Sequence, residues 1–409
     1  MAFEKNLPLV TRTALAEPWN RLTVSSLSAS AANSHPRRAF IADCKDREVW
    51  DGNLPRSLTF ADFQREVTFF AGQLETLGLQ PGDRALILMA NTVEAAIAIA
   101  GCQIAGLTPA LAPLDENIDA LRIAAERIAA AAIITTARVE ELKPAEIARQ
   151  IAARVISIRC VAAFGFGLPD GVIALDGWSE QDISPNPNRR VRSQEQEGLI
   201  TFSQSPLGFA AHLRTEAQLI ADALGVAARH KLDRDQVLVG TLQPAGSAWV
   251  AASFLMPLFL GATVQLVGPF TVNRLMRAVS ANPAEVCLFC NAELASRVEA
   301  ARGRYAELNS ISTVVRMLRP GSSSLVAPIH AAQVTTLIDI DERALLALAG
   351  CTDDVAAALD SHVHPMQGVL AEGQAYLMLA VGDDEAIRAF GFAAAEIILR
   401  ASDAETAAA

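Results

Sequence analysis

From about residue 84 to residue 340 the chain repeats one alternation, and this constrains its fold most. A short run of consecutive apolar residues is followed by a helical pattern, again and again. Arg84 to Met89 (R-A-L-I-L-M) reads as a buried strand, and Thr92 to Ile104 follows as an apolar helix capped by Asn91 or Thr92. Thr108 to Leu114 returns as a strand broken by Pro109 and Pro113. Ile118 to Ala131 is a helix, and Ala132 to Thr136 a strand. The polar, turn-rich stretch S-P-N-P-N-R-R-V-R-S-Q-E-Q-E, Ser184 to Glu197, interrupts the series. Beyond it, helices are expected at Glu216 to Arg229, Ala248 to Leu260, Thr271 to Val279 and Ala292 to Ala301. Strands are expected at Gln236 to Leu242, Ala262 to Val267, Val286 to Cys290, Ser312 to Leu318 and Val334 to Ile340. Such βα units predict an α/β protein with mainly parallel sheets. The Ala-rich last seventy residues carry weak patterns for a strand at Ala375 to Ala380 and a helix at Ala386 to Leu399. The expected division is a first α/β subdomain over 1–183, a linker over 184–197, a second subdomain over 198–345 and a short C-terminal segment over 346–409.

Composition removes several function classes. The chain has 409 residues, 51% of them hydrophobic, and a net charge of −11. An acidic chain repels nucleic acid and anionic membrane. The one basic cluster, Arg189, Arg190 and Arg192, falls in the linker. No run of about 18 apolar residues argues for a membrane span, and the N-terminus has no apolar signal segment. Cytoplasm is the expected location. The six cysteines do not form a disulfide framework. Cys287 and Cys290 make a C-x-x-C inside the apolar run V-C-L-F-C, which reads as a buried strand. No metal site is expected.

Three blocks carry a resemblance. Leu58 to Phe63 reads L-T-F-A-D-F, Leu77 to Glu94 reads L-G-L-Q-P-G-D-R-A-L-I-L-M-A-N-T-V-E, and Ala105 to Leu114 reads A-G-L-T-P-A-L-A-P-L. In order and spacing these resemble the opening blocks of the adenylate-forming superfamily, which holds acyl-CoA synthetases, aryl-CoA ligases and peptide-synthetase adenylation domains. Leu260 to Val267, L-G-A-T-V-Q-L-V, resembles a strand of that family's second subdomain. The resemblance spans about residues 20 to 345. It implies two doubly wound subdomains with mainly parallel sheets plus a small C-terminal β-containing region. The blocks that match position helices and strands and touch no substrate.

The blocks that carry the family's chemistry are altered. Its phosphate loop, T-S-G-T-T-G-x-P-K-G, lets backbone N–H groups and a lysine meet ATP phosphates. Here the matching turn is Ser203, Gln204, Ser205, Pro206, Leu207, Gly208, Phe209, Ala210 and Ala211, with His212 following. Ser205 stands for the first glycine, Pro206 and Leu207 for the two threonines, and Ala210 or Ala211 for the lysine. Pro206 also deletes an N–H donor. Three or four lost charge-assisted partners at about 1.5–3 kcal/mol each would erase an affinity of tens of micromolar, about 6 kcal/mol. The family's Y-G-x-T-E block, whose aromatic stacks on adenine and whose Glu holds Mg²⁺, appears as I-D-I-D-E, Ile338 to Glu342. Glu342 keeps the acidic position and Asp339 places a carboxylate nearby. The preceding G-G-A loop appears as R-P-G-S-S-S-L with Gly321 retained and Ser322 beside it, and Trp249 is expected to face the groove. About 65 residues follow Glu342 without a lysine, so the family's mobile C-terminal catalytic domain and its lysine are expected to be absent.

These features imply a non-catalytic homologue that binds a partner protein or an acyl- or aryl-type ligand in the former groove. No cofactor is expected. The alternative is a divergent acyl- or aryl-CoA ligase completed by another chain, with ATP and Mg²⁺ as cofactors. Arg214 and Arg319 are then the nearby cations, although both read as surface residues. A third reading is an ATP-independent activity, with His212 beside Ser203 and Ser205 as a nucleophile–base pair, or a cluster of Asp360, His362 and His364. A homodimer is expected through the face that the small domain would cover.

Overall fold

In a computed structural model, the structure describes residues 22–183, 197–205, 208–230, 232, 235–282, 285–319, 329, 331–350, 378–381, 387–390 and 396–398. α1 (Val24–Ser34) precedes β1 (Ala39–Asp43), the short α2 (Arg47–Asp51), β2 (Ser57–Thr59) and α3 (Phe60–Thr76). Then come β3 (Arg84–Leu88), α4 (Val93–Ala105), β4 (Thr108–Leu111), α5 (Ile118–Arg127), β5 (Ala132–Thr136), α6 (Pro144–Ala152), β6 (Cys160–Phe164) and β7 (Ile173–Ala174). β8 (Glu197–Ser205) and β9 (Gly208–Thr215) lead into α7 (Glu216–Arg229) and β10 (Val237–Gly240). α8 (Ser247–Trp249) passes through a π-helical turn, Val250–Leu255, into α9 (Met256–Leu260). β11 (Thr263–Leu266), α10 (Val272–Ser280), β12 (Val286–Asn291), α11 (Ala292–Ala301), β13 (Ile311–Leu318), β14 (Gln333–Ile340) and β15 (Ala344–Ala349) follow. The last described strands are β16 (Met378–Val381), β17 (Ile387–Phe390) and β18 (Glu396–Ile398).

The helices begin where short polar side chains can cap free N–H groups. Thr92 accepts from Ala95 N, Asn291 from Leu294 N, and Thr215 forms a reciprocal capping box with Gln218. α9 stops at Gly261, whose φ of +67° suits glycine and where a Cβ would come within 2.7 Å of the His35 ring. α4 is mostly apolar and buried along nearly its whole length, as expected for a helix enclosed on every side, with Glu94 and Gln103 as its buried polar residues.

Two eight-stranded sheets result. One runs β15-β14-β13-β12-β10-β11-β1-β2 and the other β18-β9-β8-β4-β3-β5-β6-β7. The first is parallel except at its ends, where β2 and β15 run antiparallel to their neighbours. The second is parallel from β8 to β7 and antiparallel at β8–β9 and β9–β18. Each sheet draws strands from both sides of residues 184–197: β1 and β2 sit in the first, β8, β9 and β18 in the second. One expectation is corrected here. Residues 387–390 and 396–398 are strands, not parts of a helix over 386–399. β15 was not expected at all; A-L-L-A-L-A lacks alternation, and a buried antiparallel return leaves no period-2 signal.

One apolar core fills the space between the sheets, with Phe40, Phe63 and Phe254 packed ring to ring. Polar groups pin the sheets together inside it. Asn91, just past β3, donates through Nδ2 to the carbonyls of Gly240 (3.0 Å) and Val267 (2.8 Å), both on the other sheet's side. Its Oδ1 accepts the Trp249 indole N–H at 2.8 Å. Beside it, the buried Arg47 guanidinium reaches Asp43 (2.6 Å), Asp51 (2.8 Å) and Glu94 (2.6 Å). Arg56 shares Glu94 from the other side. Burial, then the charge of Glu94, pushes the Asp43 carboxyl up to about 6 despite Arg47.

Removing one member of a buried ion cluster leaves uncompensated charge and costs about 3–5 kcal/mol. Arg47→Ala is therefore expected to lower the denaturation free energy by about that amount. Arg65→Ala, which breaks the exposed pair with Asp62, is expected to cost less than about 1 kcal/mol. Urea unfolding followed by circular dichroism measures both.

Candidate functional site

β8 and β9 form an antiparallel hairpin that pairs Phe202 with Ala211, Ser203 with Ala210, Gln204 with Phe209 and Ser205 with Gly208. Only residues 206 and 207 lie between the strands. The expected open turn from 203 to 211 is thus corrected: these residues are strand almost to the tip. Ladder pairing engages the backbone N–H groups that face the partner strand, and helical residues begin only at Glu216.

On one face of the hairpin, Ser203 Oγ lies 2.8 Å from His212 Nε2. His212 is fully buried. Burial, helped by the charges of Arg343 and Arg214 and opposed by Asp339, pushes its imidazole down to about 4, so the ring is neutral at pH 7. Its Nδ1 has no hydrogen-bond partner among the described residues. Two residues on, Arg214 is fully buried rather than at the surface. It pairs with the equally buried Asp222 of α7 at 2.9 Å, and its Nη2 donates to the Glu342 carbonyl at 3.3 Å. The hairpin of one sheet is thereby tied to the β14–β15 turn of the other.

That turn carries the acidic cluster. Asp339, on β14, accepts from Glu342 N–H (2.8 Å) and from Arg319 Nε (2.9 Å). Glu342 is buried at φ +60°. Its Oε1 accepts from Arg319 at 3.2 Å and its Oε2 from the Ser247 N–H at 2.9 Å. Gly246 permits this approach, since a Cβ there would overlap the Glu342 carboxylate. Burial and the adjacent Asp339 carboxylate push Glu342 up to about 7, against the Ser247 N–H, Arg319 and Arg214. Arg319 remains about half exposed, at 53%.

The structure therefore brings Ser203 to His212, and Asp339 to Glu342 and Arg319. Gln204, Ser205 and Gly208 lie in the hairpin strands. Trp249 is not a groove residue: it is buried in the core with its N–H spent on Asn91. Gly321, Ser322, Asp360, His362 and His364 lie outside the described residues. Sequence reasoning missed Ser247, Asp222 and Arg343. Ser247 alone left a signal, the N-terminal residue of a helix after a glycine. Cys287 and Cys290 lie on β12, three positions apart and therefore on opposite faces; Cys287 sits 3.1 Å from the buried His230 Nε2.

Two parallel-dominated sheets thus meet at this polar seam. Residues 28–195 match the family described as AMP-binding enzyme. A stretch of 93 residues is 30% identical to the salicyl-AMP ligase / salicyl-S-ArCP synthetase of Mycobacterium tuberculosis (strain ATCC 25618 / H37Rv), covering 23% of this chain and 16% of that protein. The fold matches the apo structure of Mycobacterium smegmatis MbtA with a TM-score of 0.70 at 16% identity, over 93% of this chain and 69% of that one. The family match lies in the N-terminal part of the chain, and the fold likeness extends over most of its length. No described helix is long and apolar enough to cross a membrane.

The buried titrating groups make opposite contributions to stability. Glu342 has a raised folded pKa, so its contribution is full below about 4.5 and is lost as pH rises to about 7. His212 has a depressed folded pKa, so its contribution is full above 6.5 and is lost as pH falls to about 4. Glu342→Gln is thus expected to gain stability relative to the parent chain between pH 4.5 and 7 and to run parallel to it above. Denaturant melts across that range test the sign.

Proposed function

We propose that this chain is a non-adenylating member of the AMP-binding fold that works by binding. The observation that carries this reading is the β8–β9 ladder, closed down to Ser205 and Gly208. Where the fold usually offers phosphates a glycine-rich cradle and a lysine, this chain has paired strands and the side chains of Ala210 and Ala211. Glu342, the expected Mg²⁺ ligand, has both carboxylate oxygens engaged by Arg319 and Ser247. These residues do not fit Mg-ATP. The proposed occupant of the groove is an acyl- or aryl-type ligand or a partner protein. The aryl class draws support from the salicyl-AMP ligase named above.

Calorimetric titration with Mg-ATP tests the proposal. No heat of binding up to about 1 mM, where binding would be worth about 4 kcal/mol, and no pyrophosphate exchange with salicylate are the expected results. Micromolar binding would overturn it and favour a divergent ligase completed by another chain.

One contact favours a second reading, an ATP-independent acyl transfer or hydrolysis: Ser203 Oγ and His212 Nε2 stand at nucleophile–base distance. It ranks second because an imidazole held near 4 is a weak base at neutral pH. Generic ester turnover by the purified chain, abolished in Ser203→Ala, would promote it; equal turnover in the variant would remove it.

A further inference from the structure

Away from the hairpin and the β14–β15 turn, a cavity of about 420 Å³ opens beyond the carboxyl ends of β3 and β6. In open α/β sheets this edge is where ligands bind. None of Ser203, His212, Asp339 or Glu342 lines it.

Its walls are aromatic. Phe69 and Phe70 come from α3, Phe164 and Phe166 flank Gly165 at the end of β6, and Trp178 closes one side. Phe70 and Phe164 stack at 5.6 Å. The Trp178 N–H is spent on the Ala174 carbonyl at 2.8 Å, which leaves the ring as an apolar wall. Phe166 is 79% exposed at the rim, an unusual place for so large an apolar group.

The polar side of the cavity is acidic. Glu66, Glu94 and Asp176 line it together with Arg47 and Arg56. Both guanidiniums are already committed, Arg47 to Asp43, Asp51 and Glu94, and Arg56 to Glu66 and Glu94. Five carboxylates thus stand against two cations, and the imbalance falls at Asp176. That side chain makes no ion pair among the described residues. It is held in place by one hydrogen bond, from the Gly165 N–H at 2.6 Å, in a turn where Gly165 takes φ +100°. A fixed carboxylate with no ion pair of its own, in a cavity walled by phenyl and indole faces, is the arrangement that recognises ammonium groups, through charge and through the ring quadrupoles.

We propose that this cavity binds a small organic ammonium ion, with its charge against Asp176 and its apolar body among the Phe and Trp rings. The same acidic lining disfavours a carboxylate ligand of equal size.

Phenethylamine is the probe, and 3-phenylpropionate its charge-reversed counterpart. Each is titrated into the full chain with calorimetry and tryptophan fluorescence as readouts, since Trp178 lies in the wall. Saturable binding of phenethylamine at least about tenfold tighter than that of phenylpropionate is expected. Asp176→Asn is expected to weaken phenethylamine at least about fivefold. Phe166→Ala, at an exposed position that folding does not need, is expected to weaken it about threefold or more and decides the matter if Asp176→Asn melts early. No saturable signal at about 10 mM phenethylamine, equal binding of the two probes, or unchanged binding in the variants would overturn the proposal.

Discussion

Everything else in the structure depends on the join between the two sheets, and that join is built from four consecutive residues. Asn91 satisfies the Gly240 carbonyl at the end of β10, the Val267 carbonyl just past β11 and the Trp249 indole N–H of α8. Thr92 caps α4, Val93 donates its N–H to Asp43 on β1, and Glu94 completes the buried cluster around Arg47. Each is a polar contact that the low dielectric of the core makes expensive to leave unmade. Together they fix which strand ends face one another. Apolar packing between the sheets could tolerate small slides, but these hydrogen bonds and charges cannot, so they set the register on which any groove between the sheets depends.

The hairpin is governed by the opposite constraint. A backbone that presents N–H groups to a phosphate must leave them without partners of its own, and small residues must keep the approach open. Ser203 to Ser205 and Gly208 to Ala210 instead find partners in each other. Once that pairing forms, the strand alternation sends Ser203 and His212 to one face and Phe202 and Phe209 to the other, where the two rings lie 5.8 Å apart over the α5–α6 side. The apolar face holds the hairpin down, and the polar face is left to meet Arg214, Asp339 and Arg343.

Much of this was legible from residue pattern. The strands β3, β4, β5 and β10 to β14, the cap at Thr92, and the scaffold blocks around Leu77 to Glu94 all follow from local chemistry that the sequence displays directly. What escaped has a common cause, the role of distant partners. Arg214 reads as a surface cation because its neutraliser, Asp222, lies on the next helix. Trp249 reads as a groove residue because its hydrogen-bond partner is 158 positions away. β15 and β18 are segments whose strand form is decided by the sheet edge they dock on, and β17 takes its form from pairing with β16.

The site's charges are arranged so that each is answered within the fold. Asp339 and Glu342 face Arg319 and a helix-start N–H; Arg214 faces Asp222; His212 is kept neutral by burial and by two arginines. A catalytic seam built to stabilise charge that develops only in a transition state must hold some of its polarity in reserve. Here each oxygen of the two carboxylates accepts a hydrogen bond from within the fold, and the ladder pairs the hairpin backbone, which stabilises the groove's shape. Such an arrangement suits the binding role proposed above, because recognition rewards a fixed shape whereas adenylation requires donors aimed at an incoming triphosphate.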